Sequence, residues 1–444
     1  MNRRVFLSGA AASAASPLLA ATPAARPLRV GLIGAGWYGK TDLLHLMQVA
    51  PVEVVGLCDV DRQMLDAAAS LIAQRQTSGK RPPTYGDHLE MLRREGPEVV
   101  LVATPDHWHC LPMIDAVRSG ADVYVQKPIS YDVVEGQAMV AAARKYGRTV
   151  QVGLQRRSTP HLLDAKKRFV DSGKIGGIHH AEVYAYYGRP GEFPPPTEPP
   201  EHLDWERYVG PASWRDYSPK IHPRSWRACG EFSNGKTGDL CVHFLDVVRQ
   251  FLGLGWPRRI SATGGRLVAP ADSNVNVHDT QNAQFDFGHT QVIWTQRDWG
   301  LPPDPQYRWG ATLFGENGTL RLSIHSWDYQ PKNGEPEHGD WLDESDEFPE
   351  DKQHQETELF AASGTRAHLR DFLAARTEQR RPAADIEEGH ISTACCLLAN
   401  LSMRLGRGLQ WDAAAGRVVD DPQANEGLAR AYRSPWEHPT PETV

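Results

Sequence analysis

The chain has 444 residues, too many for one ordinary core, because single cores stop growing at about 250 to 300 residues; two domains are expected. With 40% hydrophobic and 23% charged residues it reads as globular, and a net charge of -7 spread without acidic or basic blocks argues against a nucleic-acid partner. No stretch approaches about 18 consecutive apolar residues, so no membrane helix is expected.

Residues 1–25 read as an address. Arg3-Arg4 precedes Phe6-Leu7, an Ala-rich run and small residues from Ala20 to Ala25, a pattern that predicts a twin-arginine signal and a periplasmic or otherwise exported protein. The six cysteines are expected to be free thiols: Cys58 ends a predicted strand, Cys241 lies in a predicted helix, and Cys395-Cys396 are adjacent. Free thiols suit a chain folded in the reducing cytoplasm before export.

Residues 26–152 alternate strand and helix. Leu28 to Ile33 and Val52 to Cys58 flank a helix over Leu43 to Val49, followed by strands at Val99 to Ala103, Asp122 to Val125 and Val150 to Val152, with helices between them. Such alternation predicts a doubly wound parallel sheet of the Rossmann kind. Residues 153–444 change pattern, with strands expected at Ile178 to Tyr187, Arg259 to Leu267, Gln281 to Phe287, Thr290 to Arg297, Trp309 to Gly315 and Thr319 to Ser323, and helices at His368 to Ala375 and Glu388 to Leu405. These predict an α+β domain with a large, mainly antiparallel open sheet, an α/β protein overall. The stretches Arg189 to Pro200 and Asn333 to Glu358 are expected to be surface excursions.

Gly34-Ala35-Gly36-Trp37-Tyr38-Gly39 follows the first strand and opens the first helix. Gly34 serves the tight turn, Gly36 admits a pyrophosphate against bare backbone, Gly39 lets helix and strand pack closely, and Trp37 and Tyr38 are counted with the cofactor loop. Asp59, at the end of the second strand, is placed to accept the adenosine ribose hydroxyls, which favours NAD; Arg62 nearby keeps NADP possible.

Thr104, Pro105, Asp106, His107 and His109 follow the predicted strand Val99 to Ala103 at the carboxyl edge, where the nicotinamide crevice is expected. Lys127, before Pro128, ends the next strand, where a lysine is costly to bury unless paired or used. Asp239 and His243 are spaced to share one face of a helix. Lys127 and Gln155 are further candidate cofactor contacts, and Arg156, Tyr186, His222, Trp226 and Arg227 are candidate sugar contacts. Thirteen Trp residues suit stacking on sugar C–H faces. No metal is expected, since Asp239 and His243 offer two ligands and no further Cys or His spacing completes a zinc site.

Together the glycine loop, Lys127-Pro128, the Asp239/His243 pair, Val152 to Arg157, Gly315 to Leu320, Gly389-His390 and Tyr432 to Trp436 resemble the Gfo/Idh/MocA family of oxidoreductases across nearly all of the chain after residue 25. The resemblance implies NAD(P)-dependent chemistry on CH–OH groups of a sugar or polyol, catalytic roles for Lys127, Asp239 and His243, and a dimer or tetramer formed through the open sheet. Either His243 or Lys127 would act as base. The family's glutamate before the lysine is Gln126 here, so a carboxylate neighbour of Lys127 is missing at that position. An exported enzyme has no free nicotinamide pool, so its cofactor would stay bound and be reset within each cycle. Two chemistries meet that demand: coupled oxidation and reduction of sugars, and redox-assisted glycoside cleavage.

Overall fold

The computed structural model describes residues 26–353 and 359–444, so the leader expected over residues 1–25 lies outside the described residues. The first domain runs β1 (Leu28–Ile33), α1 (Trp37–Val49), β2 (Val52–Cys58), α2 (Arg62–Arg75), β3 (Thr84–Tyr85), α3 (His88–Glu95), β4 (Val99–Val102), α4 (Cys110–Arg118), β5 (Asp122–Val125), α5 (Val133–Lys145) and β6 (Val150–Val152). Its six parallel strands lie in the order β3-β2-β1-β4-β5-β6. The four residues of β4 are fully buried, as a central strand covered by helices on both faces requires. Asp61 caps α2 by accepting from the Gln63 and Met64 amides, and Asp132 caps α5 through the Glu135 amide.

The second domain adds α6 (Pro160–Ala165), β7 (Ile178–Ala185), α7 (Trp205–Val209), α8 (Val242–Leu252), β8 (Arg259–Gly265), β9 (Thr280–Asp286), β10 (Gln291–Arg297), β11 (Trp309–Gly315), β12 (Gly318–Ser323), β13 (Ser326–Pro331) and β14 (Glu337–Asp340). It continues with α9 (Leu359–Glu378), α10 (Ile386–Leu405), β15 (Leu409–Asp412), β16 (Arg417–Val418) and α11 (Pro422–Glu426). The ten strands lie in the order β14-β13-β12-β11-β7-β10-β9-β8-β15-β16, antiparallel except where β10 runs parallel to β7. Alternation sorts the faces: Ala181, Val183, Ala185, Phe285, Val292 and Trp294 are buried in the core that includes Val242, Phe244 and Leu398 of α8 and α10. The opposite face carries polar residues such as Glu182, Asn282 and Thr295.

Two differences from the sequence reading bear on the site. The stretch 333–358 is not wholly a surface excursion: it contributes β14, and Asp351 is buried against the Arg366 guanidinium at 2.7 Å. Helix α9 crosses back onto the first domain, where Leu369 and Phe372 join Val30, Leu43 and Tyr124 in one cluster. All six cysteines are buried free thiols, as expected. Among the described residues no helix is long and apolar enough to cross a membrane.

Candidate active site

A cavity of about 1030 Å³ opens along the carboxyl edge of the parallel sheet, where it meets the second domain. At one end is the glycine loop. Gly34 has φ +94°, and a Cβ there would lie 2.6 Å from the Ala103 backbone; a Cβ on Gly39 would strike the Gly34 carbonyl at 2.0 Å, so this residue serves packing rather than lining. A Cβ on Gly36 meets nothing within 4 Å, leaving open space before the N-terminus of α1 for a pyrophosphate. Asp59 lines the same end, and its two oxygens accept from the Ala35 amide at 2.7 Å and the Asp61 amide at 3.0 Å. The loop itself thus orients the Asp59 carboxylate. Open backbone, helix terminus and oriented acid fit a dinucleotide.

Trp37, Tyr38, Thr104, Pro105, Asp106, His109, Lys127, Gln155, Arg156, His222, Trp226, Arg227, Asp239 and His243 are brought together around the cavity. His109 ties two of its loops together, with Nδ1 2.6 Å from the Pro128 carbonyl and Nε2 2.8 Å from that of Thr104. Gln155 donates to the Tyr38 hydroxyl at 2.7 Å, and His222 is held by Asp61 at 2.8 Å.

Three expectations fail, each because of where a side chain points. Arg62 does not line the cavity: its guanidinium donates to the Glu201 carbonyl, while its amide bonds the His202 carbonyl at 2.9 Å. The cation expected to admit NADP is therefore engaged outside the site. His107 is buried behind the wall, with Nε2 2.8 Å from the Tyr208 carbonyl and its ring 4.8 Å from Phe232. Tyr186 continues the parity of β7, so it lies on the outer face, stacked 5.8 Å from Tyr184 and capped by Arg297 at 4.6 Å.

Asp239 lies in a π-helical turn (residues 237–241) that leads into α8, not in a regular α-helix as the spacing predicts. Lys127 Nζ donates to Asp239 Oδ1 at 2.6 Å and to the Asp239 carbonyl at 3.0 Å. Burial favours the neutral acid, yet the Lys127 ammonium and the Arg227 guanidinium, 3.5 Å away, hold Asp239 well below the usual carboxylate range. The carboxylate missing at position 126 is thus supplied by Asp239. Gln126 turns away and donates to buried Asp42 at 2.6 Å. His243 is 5% exposed and packs edge-on against Trp309 at 5.4 Å; its Nδ1 has no hydrogen-bond partner among the described residues. Burial, then the charges of Lys127 and Arg156, push it well below the usual imidazole value, so the ring is neutral.

Asp106 is 3% exposed and its Oδ2 also lacks a partner among the described residues. Burial raises its carboxyl, Lys127 pulls it down and the Asp239 charge raises it again, leaving it pushed up to about 8. A carboxyl that binds its proton more tightly folded than unfolded contributes less stability as pH rises through that interval. The thermal midpoint of the wild type should therefore fall further than that of Asp106→Asn between about pH 4 and about pH 8, whereas parallel curves would remove the proton from Asp106.

Sequence reasoning passed over several walls of the cavity, among them Trp108, Arg224, Trp309 and Trp436. Arg224 covers the Trp37 ring at 4.6 Å, a contact between residues far apart in the chain that no local spacing signals.

Residues 28–154 match the Gfo/Idh/MocA profile described as an oxidoreductase family with an NAD-binding Rossmann fold, and residues 202–410 match that family's C-terminal alpha/beta domain. A glycosyl hydrolase family 109 protein of Stenotrophomonas maltophilia is 26% identical over 408 residues, 82% of this chain and 84% of that one. An inositol 2-dehydrogenase/D-chiro-inositol 3-dehydrogenase of Lactiplantibacillus plantarum is 28% identical over 150 residues, 33% of this chain and 41% of its own. An oxidoreductase from Agrobacterium radiobacter, solved with NAD+, L-tartaric acid and magnesium, shares the fold with a TM-score of 0.67 at 18% identity, over 87% of this chain and 98% of its own. With both domains matched and the dinucleotide cradle in place, this chain belongs to the Gfo/Idh/MocA family of NAD-binding oxidoreductases.

Proposed function

We propose that this protein oxidises a CH–OH group of a sugar or polyol while keeping its NAD through successive turnovers. The observation that carries the reading is the convergence in one cavity of the glycine loop and Asp59 with the Lys127–Asp239 pair and a neutral His243. Bound NAD supplies the acceptor for the hydride. His243, uncharged and facing the cavity, is suited to take the hydroxyl proton. Lys127 donates to the Asp239 carboxylate and to the Asp239 carbonyl, so its nitrogen is fixed as a hydrogen-bond donor, suited to hold a developing alkoxide. This difference favours His243 as the base. Trp226 and Trp309 offer apolar faces for sugar C–H groups.

Redox-neutral cleavage of a glycoside is a second reading with support of its own. It requires a proton for the departing sugar oxygen, and Asp106 keeps one to about pH 8 beside the Lys127 charge. The family 109 relative, which spans most of this chain, points the same way.

One experiment separates the readings: absorbance and mass analysis of the purified protein for retained dinucleotide, then incubation with free sugars and aryl glycosides without added cofactor. Reduction of the bound NAD by one sugar and its reoxidation by another supports the oxidoreductase. Release of aglycone with no net reduction moves the assignment to the glycosidase. Turnover that requires added NAD would overturn cofactor retention.

Export by the twin-arginine route, inferred from Arg3-Arg4 and the Ala-rich run, belongs to the same proposal and is checked by cell fractionation. So does assembly into a dimer or tetramer through the outer face of the large sheet, checked by sedimentation.

A further inference from the structure

The segment Tyr432 to Trp436 has no part in the chemistry above, yet it reaches the cavity. After α11 the chain returns to the first domain as a strap. The Val133 amide bonds the Leu428 carbonyl at 3.0 Å. Asp132 Oδ2 accepts from the Arg430 amide at 3.0 Å and lies 2.9 Å from His438 Nε2. Glu135 Oε1 accepts from Arg430 at 3.1 Å and from the Tyr432 hydroxyl at 2.8 Å, while Oε2 takes the Tyr131 amide at 2.7 Å. Asp132, Glu135 and His438 have the spacing of a metal site, but their oxygens are already spent on these donors, so the cluster works as a clasp. On the other side Arg433 fastens the strap to the second domain, its Nε 3.1 Å from the Gly210 carbonyl and its amide 3.1 Å from that of Pro211.

Between the two fastenings Pro435 and Trp436 face the cavity. Trp436 stands edge-on to Trp108 at 5.9 Å, Trp108 stands edge-on to His88 at 6.3 Å, and Arg433 covers the Trp436 ring at 4.9 Å. His88 follows β3, the edge strand beside β2, whose end carries Asp59. Since Asp59 marks the adenosine ribose, this aromatic corner lies at the adenine end, away from Lys127 after β5. A purine has apolar faces and a polar rim, and an indole held on a fixed strap presents a matching surface at little cost in ordering.

We infer that Trp436, carried on the C-terminal strap, is an adenine-binding residue that retains the dinucleotide. The site is therefore completed by the lining residue farthest in sequence from its glycine loop. The inference rests on dinucleotide binding but not on the choice of sugar chemistry.

The test uses the full chain stripped of dinucleotide and measures ADP-ribose and nicotinamide mononucleotide separately by calorimetry. Trp436→Ala should weaken ADP-ribose by about 10-fold or more, the range of base–aromatic stacking, and leave the mononucleotide within about twofold. Trp436→Phe should restore most of the loss. An unchanged ADP-ribose affinity, or equal losses for both ligands, would overturn the role of Trp436 while leaving the dinucleotide site standing. Failure of the wild type to bind either ligand would overturn the site itself.

Discussion

Lys127→Met is expected to lower kcat on the order of 10³-fold, the scale on which loss of one preorganised charge at a developing oxyanion is felt. Dinucleotide retention, followed by absorbance, should persist, because the glycine loop and Asp59 lie at the other end of the cavity. The substitution also acts on Asp239, whose remaining cation is Arg227 at 3.5 Å. A carboxylate held below its ordinary value stabilises the folded form above the ordinary carboxylate range, and that stability is lost as pH falls through the native value. Wild type and variant should therefore differ in Tm at neutral pH and converge in acid. A kcat within about tenfold of wild type would remove Lys127 from the reaction.

The second large effect is structural and lies one turn along the helix that bears His243. Asp246 is fully buried and accepts from Arg157 Nε at 2.7 Å, Arg157 Nη2 at 2.9 Å and Ser392 at 2.7 Å; Glu388 bridges Arg157 at 2.9 Å and Arg249 at 3.0 Å. This network fastens three pieces: the segment leaving β6, helix α8 and helix α10. Asp246→Leu leaves Arg157, 7% exposed, with half its partners and should cost about 3 to 5 kcal/mol in urea unfolding. Because paired removal avoids a stranded charge, Arg157→Met combined with Asp246→Leu should recover most of the loss. A single-variant cost below about 1 kcal/mol would mean that water reaches Arg157 and that α8 is held by apolar packing alone.

What the sequence made legible was local. The glycine loop, Asp59, Lys127 and the pair Asp239/His243 are each fixed by position relative to a strand end or a helix turn, and all but Ala35 and the packing residue Gly39 line the cavity. The errors were errors of direction. Tyr186 and His107 sit in the right segments, but one step of strand parity sends the first to the outer face, and burial against Phe232 takes the second behind the wall. Arg62 was lost to a partner, the Glu201 carbonyl, that lies 139 residues away. The same remoteness hid Trp309, Arg224 and Trp436, since a wall assembled from distant segments leaves no period in the sequence. Strand β13 did carry a signal, the alternation of buried Trp327 and Tyr329, which the polar composition after Asn333 obscured.

The strap places part of the cofactor site among the residues synthesised after every other part of that site. The core that backs the glycine loop, with Val30 and Leu43, is itself closed by Leu369 and Phe372, and the adenine corner lacks its indole until Trp436 joins it. Closure of that corner therefore depends on a segment remote in sequence from the glycine loop and Asp59. Farther along the same strap the Val444 carbonyl accepts from Lys145 of α5 at 2.6 Å, a second tie to the helix that carries the clasp. Lys145→Ala, which frees that carbonyl, tests the chain's grip on its dinucleotide without touching a residue that lines the cavity.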